Sequence, residues 1–208
     1  MRNAANAISN ITIHHAYSDA ESFVARYRNV GKFEALCKEC PQYGASWACP
    51  PFIEGMQIDF TPYRRVMLIG FQTFIKRNYL RPSKTPEELS ERSKEISTHV
   101  RLMIDPILLS IERDTVASRL FLPGSCNFCA PKGCTRPKRV SCRYPNLMRS
   151  SLESVGFNVS LASEELLQLH LSWPKDLRLP PFLTFLAAYF LVGSDQTVDL
   201  SELADLFA

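Results

Sequence analysis

The spacing of apolar positions changes several times along this chain, and each change marks an element. Residues 11–15 read as a strand, and Ser18-Asp19-Ala20-Glu21 carries the capping-box pattern of a helix that runs through Tyr27 and stops at Gly31. The run Arg65-Val66-Met67-Leu68-Ile69-Gly70-Phe71 has the continuous apolar character of a buried strand. Thr85-Pro86-Glu87-Glu88 opens a long helix with proline at its first position, and the apolar spacing continues to about Ala117. Pro106 falls inside that stretch; its ring removes an amide donor and meets the preceding turn, so two helical segments are expected.

Further on, residues 119–122 predict a short strand leading into Pro123-Gly124. Residues 149–155 predict a short helix closed by Gly156, residues 157–161 a strand, and Ser163 the cap of a helix from 164 to about 170. A strand at 183–192 and a small helix near Leu200 complete the pattern. Strands and helices alternate without an internal repeat. The expected fold class is α/β (or α+β), a single sheet flanked by helices.

Composition narrows the class. With 208 residues, 46% hydrophobic and 22% charged, the chain has material for one sizeable core, and one metal-binding domain over 1–208 is expected. Its longest apolar run, residues 181–193, is shorter than the roughly 20 residues a bilayer crossing needs. No membrane partner is therefore expected. The first residues contain no apolar stretch of signal-peptide length, which makes the cytoplasm the expected location. A net charge of +3 is too small to imply a nucleic-acid partner by itself.

The chemistry lies in the cysteines. All seven fall into two groups, Cys37-x2-Cys40-x8-Cys49-Pro50-Pro51 and Cys126-x2-Cys129-x4-Cys134-x7-Cys142-x2-Pro145, in loops spanning 37–51 and 126–145. An odd count with no secretory leader argues against a disulfide framework. The neighbours Lys38, Glu39, Gln42, Lys132, Thr135 and Arg136 argue against cysteines serving as small hydrophobes. Gathered thiolates repel one another and are costly to desolvate, so a cation or cluster must neutralise them.

Spacing favours iron–sulfur over zinc. Structural zinc usually takes two separated Cys-x2-Cys knuckles, whereas 126–142 is one run with unequal gaps, and cysteine runs ending near proline are typical of [4Fe–4S] loops. Four cysteines suit a complete cubane; three suit one in which an iron awaits another ligand. His14, His15, Glu34, Glu39 or Asp59 could close that position, and left open it would be a place for reaction on a small molecule. His99 and His170 read as helix residues, and no catalytic residue can be named.

Between Cys126 and Ser150 stand Lys132, Arg136, Lys138, Arg139, Arg143 and Arg149, with no Asp or Glu. These cations suit the negative charge of a thiolate-bound cluster. The alternative is a zinc-stabilised binding module whose basic 132–149 loop takes a phosphate-bearing or nucleic-acid partner. That is the less favoured reading, since only Phe128 and Tyr144 supply aromatic stacking. Tyr43, Trp47 and Phe52 are expected to cover the first site, and Glu153 to pair with Arg149 one helical turn away.

The motif Cys37-x2-Cys40-Pro-x-Tyr43-Gly44-x2-Trp47-x-Cys49-Pro50-Pro51, with Gly124-x-Cys126-x2-Cys129, Cys142-x2-Pro145 and Arg149-Ser-x-x-Glu153-x-x-Gly156-x-x-Val159, resembles the "predicted metal-binding protein" family of bacteria and archaea (domain of unknown function 2284). The resemblance spans roughly residues 20–192. It implies a cytoplasmic metal-binding protein of iron–sulfur type with no assigned reaction. Taken with the cysteine spacing, the expected function is one or two [4Fe–4S] clusters in electron transfer or cluster-dependent redox chemistry, with a redox protein or small molecule as partner. Cys37, Cys40 and Cys49 match the first motif, and Cys126, Cys129, Cys134 and Cys142 the second; the x4 gap before Cys134 is wider than the family's usual one.

Overall fold

In the computed structural model, which describes residues 2–53 and 55–207, six α-helices accompany one four-stranded sheet among the described residues. In chain order they are α1 (Arg2–Ala7), β1 (Ile8–Asp19), α2 (Ala20–Tyr27), α3 (Val30–Lys38), β2 (Arg65–Ile75), α4 (Pro86–Asp114), β3 (Ser118–Phe121), α5 (Val159–Leu167), β4 (Phe182–Leu191) and α6 (Ser201–Leu206). The strands pair in the order β1-β2-β4-β3, every pair antiparallel. The expected class, mixed α and β around a single sheet, is the one observed.

β2 is apolar at nearly every position because both of its faces are covered. Met67, Ile69 and Phe71 face α4, packing with Ile96, Val100, Ile104 and Leu108; Val66 and Leu68 join Phe23, Phe60, Phe121, Phe157 and Phe190 on the side of α2 and α5. Two apolar layers on one sheet produce the uninterrupted hydrophobic run that marks a fully buried strand. At Gly70 a side chain would meet Leu169 and Leu167 at 2.7 and 2.9 Å, so glycine is what lets the chain beyond α5 close on the sheet.

Several boundaries differ from expectation. α2 is capped by Asp19, whose carboxylate accepts the Ser22 amide at 2.8 Å; Ser18 still belongs to β1. Gly31 does not end a helix but lies in the first turn of α3, capped by Asn29, and α3 carries Cys37 in its last turn. α4 is continuous through Pro106. That proline lies on the exposed face, where the carbonyl it leaves without a donor can be hydrated, while Ile96, Val100, Ile104, Leu108 and Ile111 anchor the opposite face.

The strand expected at 157–161 is the start of α5, capped by Asn158; only Phe157 bridges, to Arg28. Ser163 is inside α5, buried, and donates its hydroxyl to the Leu169 carbonyl at 2.9 Å. His170 therefore lies beyond the helix, whereas His99 is within α4. The helix expected over 149–155 is a single 3-10 turn, Glu153–Val155.

Candidate metal centre

The first cysteine group is assembled by α3. Its C-terminal turn presents Cys37, the backbone turns tightly as the Cys40 amide donates to the Cys37 carbonyl at 2.9 Å, and Cys49 returns to the same place buried. Cys37, Cys40 and Cys49 together line a cavity of about 140 Å3 with Tyr43, Pro50, Ser125 and Glu153. Burial pushes the Cys37 thiol up, and Cys49, Cys40, Glu153 and Glu34 push it the same way. Burial also raises Cys49, against the Ser125 and Ser46 hydroxyls and Arg136, which lower it.

The second group occupies the excursion that follows β3. Its base is clamped twice: the Leu122 amide donates to the Ser150 carbonyl at 3.2 Å, and Arg149 binds Glu112 at 2.6 Å. Within it the Thr135 hydroxyl donates to the Ser141 carbonyl at 3.0 Å and Arg143 to the Gly133 carbonyl at 2.6 Å. These bonds bring the chain around Cys134 beside that around Cys142. Cys126 is raised chiefly by burial, with Cys142 and Cys129 adding to it and the Phe128 amide and Arg101 opposing.

The two loops are joined to each other. Arg136 donates to the carbonyls of Ser46 (2.6 Å), Cys49 and Pro51, and its guanidinium lies 5.6 Å from the centre of the Trp47 ring. Trp47 in turn donates its indole N–H to the Thr135 hydroxyl and the Val140 carbonyl, both at 3.2 Å. Thus Trp47 is a tie between loops more than a cover, Tyr43 lines the cysteine cavity as expected, and Phe52 lines a neighbouring cavity with Arg28 and Val30.

From α4, the buried Arg101 pairs with Asp105 at 2.7 Å and donates to the Ser125 carbonyl, fixing the residue before Cys126. A groove of about 400 Å3 opens here, lined by Lys94, Arg101, Cys126, Trp173 and Phe185. Gln42, Gly124, Ser125 and Glu153 line both this groove and the cysteine cavity.

Glu153 was the residue most misplaced by local spacing. Arg149 pairs with Glu112 instead, and Glu153 faces the cysteines from a turn held by Gly156 (φ +96°) against Val30 of α3. Burial pushes its carboxyl up, opposed by its own amide, Ser151 and Arg101. Its spacing four residues after Arg149 concealed this. Of the histidines considered, His14 and His15 lie in β1, His14 bonding Thr12 at 3.1 Å, and neither lines the cysteine cavity. Glu34 accepts from Tyr43, Glu39 caps α3, and Asp59 accepts from Thr61.

Among the described residues, no group of three or more His, Cys, Asp or Glu side chains converges closely enough to hold a single metal ion. No described helix is long and apolar enough to cross a membrane. No curated protein and no solved structure matches the chain. Residues 27–182, which carry both cysteine groups, Glu153 and the strands β2 and β3, match the family described as predicted metal-binding protein (DUF2284), and the chain belongs to that family.

Proposed function

We propose that the protein carries iron–sulfur clusters, one held by Cys37, Cys40 and Cys49 and a second by Cys126, Cys129, Cys134 and Cys142, and that it serves electron transfer or cluster-dependent redox chemistry. The observation that carries this reading is the cavity of about 140 Å3 walled by three thiols. Donors arrayed around a space suit a polynuclear centre, in which each iron takes its own thiolate, better than a single ion that needs four donors at one point. When bound, such a cluster supplies one-electron redox capacity. Around it, Tyr43 and Pro50 would limit water, and the Arg136 and Arg101 cations would stabilise negative charge on the thiolates.

The basic loop also supports this reading over a phosphate-binding module. Arg136 and Arg149 are half-buried and engaged with backbone carbonyls or Glu112, and the exposed Arg143 is bonded to the Gly133 carbonyl, leaving Lys132, Lys138 and Arg139 as the exposed cations with no such bond among the described residues. Three scattered surface cations make a weak footprint for nucleic acid.

The test is anaerobic purification with iron, acid-labile sulfide and zinc measured on the same sample. Brown protein with broad sulfide-to-iron absorption is expected; colourless protein with stoichiometric zinc would overturn the proposal. Cys126→Ala should remove one centre and Cys49→Ala the other. Loss of all metal from each single variant would instead show one shared site.

A further inference from the structure

The cavity walled by Cys37, Cys40 and Cys49 has one other side chain of metal-binding type on its lining, Glu153. The remaining lining is amide, hydroxyl, phenol, proline and glycine. Three thiols and a carboxyl on the lining of one half-buried cavity are four donors that a bound cation would deprotonate and neutralise together. Among the described residues Glu153 makes no ion pair. Arg101, the cation that acts on it, is already committed to Asp105 and to the Ser125 carbonyl.

The carrier of Glu153 is also built to hold a position. The Ser154 amide donates to the Ser151 hydroxyl at 3.3 Å, Gly156 closes the turn, and the Asn29 amide donates to the Gly156 carbonyl at 2.8 Å. That last bond joins the Glu153 turn directly to the N-cap of α3, the helix that bears Cys37. Ligand and ligand-bearing helix are thus fixed to each other through backbone, as a precise coordination geometry requires.

We infer that Glu153 is the fourth, oxygen ligand of the centre held by Cys37, Cys40 and Cys49. The inference rests on the metal-binding reading above and makes the site one of three thiolates and one carboxylate. Glu153 also lines the groove of about 400 Å3, so the metal position it occupies is the one a small molecule in that groove would reach. A carboxylate is a harder donor than a thiolate and holds iron less firmly, which makes this the position most readily vacated.

The experiment compares wild type, Glu153→Gln and Glu153→Cys after anaerobic reconstitution with ferrous iron and sulfide, followed by desalting. Iron and sulfide are counted and low-temperature electron paramagnetic resonance is recorded. Glu153→Gln should lose about one iron per chain with sulfide unchanged. Glu153→Cys should recover that iron and absorb more strongly in the charge-transfer region, since a thiolate replaces an oxygen. Wild-type iron and an unchanged resonance spectrum in Glu153→Gln would overturn the inference. So would failure of Glu153→Cys to recover the iron, which would mark Glu153 as a support of the fold. If the wild type takes zinc and no iron or sulfide, the iron–sulfur reading fails alone: a drop of about tenfold or more in zinc affinity in Glu153→Gln, restored in Glu153→Cys, would still support ligation, and equal affinities would overturn it.

Discussion

Arg136 should be worth more to this protein than any other cation of its loop. Its guanidinium donates to three carbonyls of the first cysteine loop, of which Ser46 is 1% and Cys49 7% exposed as residues, while Pro51 is exposed. Replacement by Gln leaves the Cys49 carbonyl in buried surroundings without a donor, at about 1–3 kcal/mol, and leaves the Ser46 carbonyl with the Cys49 amide alone, at about 1 kcal/mol; the Pro51 carbonyl is rehydrated and adds little. The Trp47 ring contact contributes about 0.5 kcal/mol more. A total loss of about 3 kcal/mol follows, equivalent for a chain of this length to a fall of roughly 6–12 °C in Tm. Arg139→Gln is the matched control, because Arg139 is exposed, and it should change stability by no more than about 0.5 kcal/mol.

The assay is thermal unfolding of both variants with amide exchange of the first loop. The Gly44 and Cys49 amides, bonded to Pro50 and Ser46, should exchange faster in Arg136→Gln alone. If Arg136→Gln melts within about 2 °C of Arg139→Gln, with the same exchange at Gly44 and Cys49, the two cysteine loops are not held together by this side chain and the reasoning fails.

Asp105 provides a pH test. Burial outweighs the adjacent Arg101 and pushes its carboxyl from 3.8 up to about 6, so the folded state binds a proton that the unfolded state releases between about pH 4 and 6. Its contribution to stability is therefore unfavourable by roughly 3 kcal/mol above pH 6 and is relieved as pH falls toward 4; the difference in unfolding free energy between wild type and Asp105→Asn should rise by about that amount over this window, and a flat difference would count against it. Gly156→Ala places a Cβ 2.9 Å from the Val30 Cα at φ +96°, and should cost about 2 kcal/mol or more by denaturant titration while weakening metal retention at the first site. Tyr189→Phe removes the 2.6 Å bond from a fully buried hydroxyl to the Leu108 carbonyl of α4, and should cost about 1 kcal/mol without altering metal content.

The elements that were legible from sequence are those whose local pattern agrees with their burial. The continuous apolar runs of β2 and β4 mark strands covered on both faces, and Thr85-Pro86 with Glu88 marks the start of α4 because cap, proline and first-turn acid act within one turn. The two cysteine groups were equally plain, since close spacing of thiols carries its chemistry whatever the fold. Only the tertiary structure could show that Pro106 leaves α4 unbroken, because the apolar face packed on the sheet outweighs one missing hydrogen bond. It alone reassigned the basic loop, where Arg136 turns inward to carbonyls distant in sequence and Arg143 ties the loop to itself at Gly133. Glu153 shows the limit best: helical spacing pairs it with Arg149, but Glu112 takes that arginine from 37 residues away and the Gly156 turn aims Glu153 at the cysteines of another segment. Spacing governs neighbours within a turn of helix; which charge meets which across a packed fold is decided by the chain paths that burial selects.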